Sequence, residues 1–235
     1  MSTFLELCVK TRRNCLIPGE GPSDVTTQEG ELNELVNYVA DAYLDVQNRR
    51  SSWRWLRRDF TFNTTAEDGI YEFGDVTDVD AAAVISRFSK WHIDDVENPP
   101  KVYLNSAGIG GERWLIYTPW QWFNTIYGIG TQNSGPPVHI TIDPQDRIRL
   151  GPVPDDIFTI TGEFFRSAQI LAADDELPEM PSQYHDLIVY LAMQKYGMGE
   201  AAAEVVSRGN QEARRILRQL ELNQMPQVRL ARPLA

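Results

Sequence analysis

The chain has 235 residues, 42% hydrophobic and 10% aromatic, which is enough apolar material for a real core and too much for a disordered composition. Its 33 acids against 22 bases leave a net charge of −11, which argues against a simple nucleic-acid binder and suits a surface that must not adhere to DNA. No apolar run reaches the ~20 residues that span a bilayer, and "MSTFLELCVKTRRN" puts its bases after its apolar stretch, the reverse of a signal peptide.

The first predicted element is a helix. Thr3 and Glu6 have capping-box spacing, with Leu5, Cys8 and Val9 behind them at helical intervals. Cys8 and Cys15 lie seven apart on it, roughly 10 Å along the axis, too far for a disulfide. They read as reduced core thiols of a protein made in a reducing cytoplasm. "IPGEGPSD" then breaks the pattern. Thr26 and Glu29 form a second capping-box candidate. Behind it Leu32, Leu35, Val36, Val39, Tyr43 and Val46 make a stripe that predicts a helix over about 28–50.

After "SSWRWLRRDF" the texture changes to short β-favouring runs separated by turns: "DFTFNTT", "GIYEF", "AAVISRFSKWHI", "KVYLN", "RWLIY", "PVHITID", "RIRLGP" and "FTITGEFFRS". Their spacing predicts antiparallel hairpins, with "DPQDR" as one turn. "TPWQWFNTIYGIG" interrupts them as a short helix from Pro119 to Gly128 or Gly130. Near 182 helices return. Ser182 is placed to cap "QYHDLIVYLAMQKYG", and "EAAAEVVSRGNQEARRILRQLELNQ" follows with Val205, Val206, Ala213, Ile216, Leu217 and Leu220 on one face.

The order predicts an α+β protein. Residues 1–52 and 182–222 form an antiparallel helical bundle, residues 53–181 an inserted antiparallel β domain, and residues 223–235 an extended C-terminal arm. Charge follows these divisions. Residues 1–50 hold 8 acids and 5 bases (net −3), residues 51–182 hold 20 and 10 (net −10), and residues 183–235 hold 5 and 7 (net +2).

Little here predicts chemistry. "SAGIGGE" is Gly-rich, but no GK[ST] follows and no helix opens after it, so it reads as a hairpin tip. The pairs Asp94/Asp95, Asp155/Asp156 and Asp174/Asp175 sit in turns and lack a calcium-loop pattern, so they read as solvated acids. His185 beside Asp186 reads as a surface or interface residue. No nucleophile–base pairing, metal-ligand set or cofactor motif occurs, and no enzyme, cofactor or metal is expected. The cluster Arg49, Arg50, Arg54, Arg57 and Arg58 around Trp53 and Trp55 allows two readings. It could stack on single-stranded bases, as in a nucleic-acid-binding accessory protein. Alternatively, the tryptophans anchor a domain junction, and Arg54, Arg57 and Arg58 pair with acids between domains or subunits.

The closing "NQMPQVRLARPLA" carries Arg229 and Arg232 and no acid. Ordering it costs more conformational entropy than burial of Met225, Val228, Leu230 and Leu234 returns. Another surface must therefore supply backbone bonds or acids, and "VRLAR" alternates as an added edge strand does.

In order and kind, "GELNELVNYVADAYLDVQNRRSSWRWLRRDF", "YTPWQWFNTIYG", the run "PPVHITIDPQDRIRLGPVPDDIFTITGEFFRSAQILAADDELPEMPSQYHDLIVYLAMQKYG" and the closing "RLARPLA" resemble the head-to-tail adaptors of tailed bacteriophages, the family of the podovirus tail tubular protein A. The resemblance implies a structural virion protein that forms a ring, usually of twelve copies, under the portal vertex. Double-stranded DNA passes through it without specific binding, a tail nozzle or other tail protein attaches below, and no membrane is involved. It also implies that the arm, with Met225, Val228, Arg229, Leu230, Arg232 and Leu234, grips the portal or a neighbouring copy, and that the ring is assembled in the host cytoplasm.

Overall fold

A computed structural model describes residues 1–130 and 133–225. The chain divides into two compact units. One comprises Met1–Leu56 and the chain from Ala168 onward; the other is Arg57–Ser167. Trp53–Leu56 and Ala168–Pro181, which the sequence reading assigns to the β-rich segment, therefore lie with the helices.

The helical unit holds α1 (Phe4–Cys15), α2 (Gly30–Asn48), α4 (Asp186–Gly199) and α5 (Ala203–Gln224). Helix α4 packs on α5, α2 and α1. Its Leu187, Ile188, Val189, Ala192 and Met193 are buried with Leu7, Leu35, Val39, Tyr43, Ala213 and Leu220. Thr3 caps α1 reciprocally with Glu6, as its spacing predicts. Cys8 and Cys15 are buried free thiols, pushed up to about 12 and about 11 chiefly by burial. The Thr26–Glu29 capping box does not form, and α2 starts at Gly30 without a side-chain cap. Asp24 captures the threonines instead. Its carboxylate accepts the Thr26 and Thr27 N–H groups at 2.9 and 2.6 Å and the Thr27 hydroxyl at 2.7 Å. These bonds, the Thr27 N–H foremost, hold Asp24 down to about 2. Ser182 likewise opens a single 3-10 turn (Ser182–Tyr184), and α4 begins after it without a side-chain cap.

Residues 168–181 form an irregular strap across the helices. The Gln47 side-chain amide makes both bonds to the Gln169 backbone: its Oε1 accepts the Gln169 N–H at 2.8 Å and its Nε2 donates to the Gln169 carbonyl at 2.9 Å. The Tyr43 hydroxyl donates to Gln169 Oε1 (2.9 Å) and accepts the Glu179 N–H (2.9 Å). The Asp174 and Glu176 carbonyls accept the Leu5 and Phe4 N–H groups, which open the first turn of α1 and have no partner within the helix. Asp174 is thus no simple solvated acid, since its carboxylate also takes the Val25 N–H at 2.7 Å.

The second unit is built on two sheets. Its strands are β1 (Arg57–Asn63), β2 (Ile70–Tyr71), β3 (Thr77–Asp78), β4 (Ala83–Val84), β5 (Phe88–His92), β6 (Lys101–Leu104), β7 (Arg113–Trp114), β8 (Ile116–Tyr117), β9 (His139–Ile142), β10 (Ile148–Gly151) and β11 (Phe158–Arg166), with α3 (Trp120–Tyr127) between β8 and β9. One sheet runs β4-β3-β1-β11-β6-β7, and β5 shares the β6 side of β11; the other runs β2-β10-β9-β8. Among the described residues every pairing is antiparallel except β8 with β9, which is parallel because α3 carries the chain back across the sheet end. Phe60, Trp91, Ile140, Ile148, Ile160 and Phe164 form the core. Gly162 faces Phe60 across β1 and β11, where a Cβ would stand 2.7 Å from the Phe60 ring. "DPQDR" makes the β9–β10 turn, and "SAGIGGE" is an exposed loop containing two 3-10 turns.

Candidate assembly interface

The residues singled out from sequence fall at two places, the start of β1 and the end of α5. At the first, Trp53 and Trp55 stack with ring centroids 4.5 Å apart. Both are buried, and Trp53 Nε1 donates to the Val46 carbonyl at 3.0 Å. Base stacking needs an open ring face, so burial of both rings speaks against the single-strand reading. Arg54, between them, is exposed on a 3-10 turn.

Arg57 and Arg58 belong to β1 itself. Arg57 Nε lies 3.4 Å from Glu163 Oε2 on β11, and Arg58 Nε lies 3.3 Å from Asp80 Oδ2. Both pairs lie within the β unit. Glu163 also accepts from Asn98 Nδ2 at 3.0 Å and stands 3.9 Å from His92 Nε2. Asp94 and Asp95 approach His92 at 3.7 and 3.6 Å. Among the described residues no group of three or more His, Cys, Asp or Glu could hold a metal ion.

At the end of α5, Leu220 and Gln224 are buried, so Asn223 and Gln224, read from sequence as the start of the arm, belong to the helix. Met225 follows in extended backbone, half-buried, with its N–H on the Glu221 carbonyl. Arg50 at the end of α2 reaches Glu221 Oε1 at 3.2 Å, which ties α2 to this last turn. Asn223 and Gln224 also edge a groove of about 430 Å³ lined by Leu177, Met180 and Pro181. Of the proposed arm contacts, Met225 alone is described; Val228, Arg229, Leu230, Arg232 and Leu234 lie outside the described residues.

His185, read from sequence as a surface or interface residue, is buried and lines that groove. Adjacent helix positions do diverge, but His185 precedes α4 on a 3-10 turn, which aims its ring inward. Nδ1 accepts the Ser2 N–H at 3.3 Å, and Nε2 donates to the Met180 carbonyl at 3.1 Å. Burial pushes its pKa below the ordinary value of 6.5.

The pairs Arg50–Glu221, Arg57–Glu163 and Arg58–Asp80 each join residues of one unit, and Met225 leaves the packed end of α5 in extended backbone. A family model described as SU10 adaptor protein matches residues 2–234. The chain belongs to the SU10 adaptor protein family. This places it in a phage head-to-tail adaptor family and gives the adaptor a structural role among virion proteins, which points away from catalysis. No curated protein matches it. Among the adaptor's described residues, no helix is long and apolar enough to cross a membrane.

Proposed function

We propose that the adaptor assembles into a ring, a dodecamer of the podovirus tail tubular protein A kind, beneath the portal, where it continues the DNA channel and joins the capsid to a tail nozzle. The family match over residues 2–234 carries this reading. In it, α1, α2, α4 and α5 act as an antiparallel bundle near the channel, and the ring is assembled in the host cytoplasm. At −11 per copy the wall repels duplex phosphates and does not retain what passes. Arg57 and Arg58 brace the β unit through Glu163 and Asp80, and exposed Arg54 reaches a neighbouring copy. Met225, Val228, Arg229, Leu230, Arg232 and Leu234 grip the portal or the next copy, with the two arginines meeting acids there.

The test is truncation after Met225. The shortened chain keeps its helical circular dichroism and loses portal binding at least tenfold in a sedimentation assay; undiminished binding refutes the arm's role. A gel shift of the full chain with single- and double-stranded DNA at moderate salt shows no tight complex. A tight complex would favour the nucleic-acid reading.

A further inference from the structure

The groove beside the last turn of α5 has an unusual position: the chain leaves the helix at its rim. Leu177, Met180 and Pro181 give it apolar walls, with Met180 buried and Leu177 43% exposed. Ser182, Gln183 and Asn223 add polar groups to the lining. The Asn223 carbonyl oxygen Oδ1 accepts from Gln224, but the Ser182 hydroxyl, the Gln183 side-chain amide and Asn223 Nδ2 have no hydrogen-bond partner among the described residues. A volume of about 430 Å³ takes a few side chains and no folded element. Gln224, the last helical residue, is buried and lines the groove. Met225 continues at φ −85° and ψ 147°, in extended backbone.

Ten residues follow, "PQVRLARPLA", in which Val228, Leu230 and Leu234 are apolar and Pro226 does not continue a helix. Extended backbone advances about 3.3–3.6 Å per residue, which puts Val228 within about 10 Å of Met225 and Leu230 within about 18 Å. Both can therefore reach the groove with the helices as they stand. Apolar burial alone does not offset the entropy of ordering this segment, so its surface must also bond its backbone. The free hydroxyl and amide groups of the groove supply donors and acceptors for that purpose. We propose that the groove is a binding site for an extended apolar peptide, and that its occupant in the free chain is the chain's own segment 226–235. Tethering decides between this segment and one from another molecule. A segment rooted at the rim stands at an effective concentration on the order of millimolar, about a thousandfold above a partner at micromolar concentration. The consequence for assembly rests on the adaptor reading. An arm seated in its own groove reaches the portal only after leaving, so groove and portal compete for the same side chains. The arm is thereby kept from other copies until the portal draws it out.

A photo-crosslinking residue reports the occupant. The variant Val228→p-benzoylphenylalanine, as purified full chain at micromolar concentration, is irradiated and digested. The expected adduct lies within one chain and maps to residues 177–183 or Asn223. An adduct elsewhere, a product of twice the chain's mass, or no adduct overturns the proposal. In parallel, trypsin cleavage after Arg229 is timed by mass spectrometry. Leu177→Asp, with circular dichroism unchanged, is cut at least fivefold faster than wild type. Val96→Glu, a control at a 92% exposed position, is cut at the wild-type rate. Equal rates for wild type and Leu177→Asp overturn the proposal. Portal protein separates this contact from the adaptor reading. Under competition, added portal abolishes the groove adduct, and Leu177→Asp binds portal at least threefold more tightly. A groove adduct that portal leaves unchanged supports the docking and overturns the arm's role at the portal. No groove adduct, in a chain that loses portal binding on truncation after Met225, overturns the docking alone.

Discussion

At the scale of single residues, the most consequential side chains are buried polar ones. Asp143 opens the β9–β10 turn with its side chain fully buried. Burial by itself would raise its pKa, but Arg147, Arg149 and the Gln145 N–H outweigh it and hold the carboxyl below the usual range. Arg147 Nε and Arg149 Nε reach Oδ2 at 2.9 and 3.0 Å. A bond to a charged group contributes ~1.5–3 kcal/mol, and both arginines are about a quarter exposed, so water replaces part of that. Asp143→Asn should cost about 2 kcal/mol, read as a urea midpoint lowered by about 1 M. His185 works in a different pH window. Its folded pKa lies below 6.5, so the neutral-histidine contribution is complete above 6.5 and is lost as pH falls through 6.5 toward the folded value. Asp143, also depressed, loses its contribution only in the acid range below the ordinary carboxylate value. Between pH 7 and 5.5 the wild type should therefore lose a few degrees of Tm that His185→Gln does not, measured by differential scanning calorimetry. "DPQDR" announces a turn in the sequence, but nothing in its letters says that Asp143 is buried. That depends on Arg149, six positions on and across the hairpin. His185 turns inward because a 3-10 turn precedes α4, which the helical spacing of the sequence does not announce.

At the scale of elements, apolar periodicity and turn residues located the helices and strands, and what they missed came from competition between local partners. Thr26 has the right spacing for a cap, but its N–H and hydroxyl and those of Thr27 are bound to Asp24, and α2 starts only at Gly30. The parallel pairing of β8 with β9 was hidden because two-residue strands carry no periodicity and direction depends on α3. Gly209 lies in the middle of α5, where glycine lowers helix propensity. In the fold a Cβ there would lie 2.8 Å from the Tyr190 carbonyl oxygen, so glycine is what lets α5 close on α4. Alanine would gain up to ~1 kcal/mol of helix propensity, but it would push a backbone carbonyl, and overpacking costs ~1–3 kcal/mol. Gly209→Ala should therefore be net destabilising by about 1 kcal/mol, a Tm loss of ~2–4 °C for a chain of this size. A raised Tm would show that α4 and α5 have slack between them.

At the scale of the whole molecule, the uneven charge is legible by counting. If copies of net charge −11 associate into a ring, screening of their mutual repulsion should help them. Raising salt from 0.05 to 0.5 M shortens the Debye length from over 10 Å to under 5 Å, and self-association by sedimentation velocity should strengthen several-fold. Weakening with salt would mean that Arg–acid pairs dominate the contact. The discontinuous helical unit has a further consequence for how the protein comes into being. Helices α1 and α2 leave the ribosome first, yet α4, the helix both pack on, is encoded more than a hundred residues later. At ~5–20 residues per second that interval lasts on the order of ten seconds. During it the β unit, complete once β11 emerges, can fold on its own. Synthesis therefore completes the β unit before the helical unit, leaving the first two helices to chaperones or to each other in the meantime.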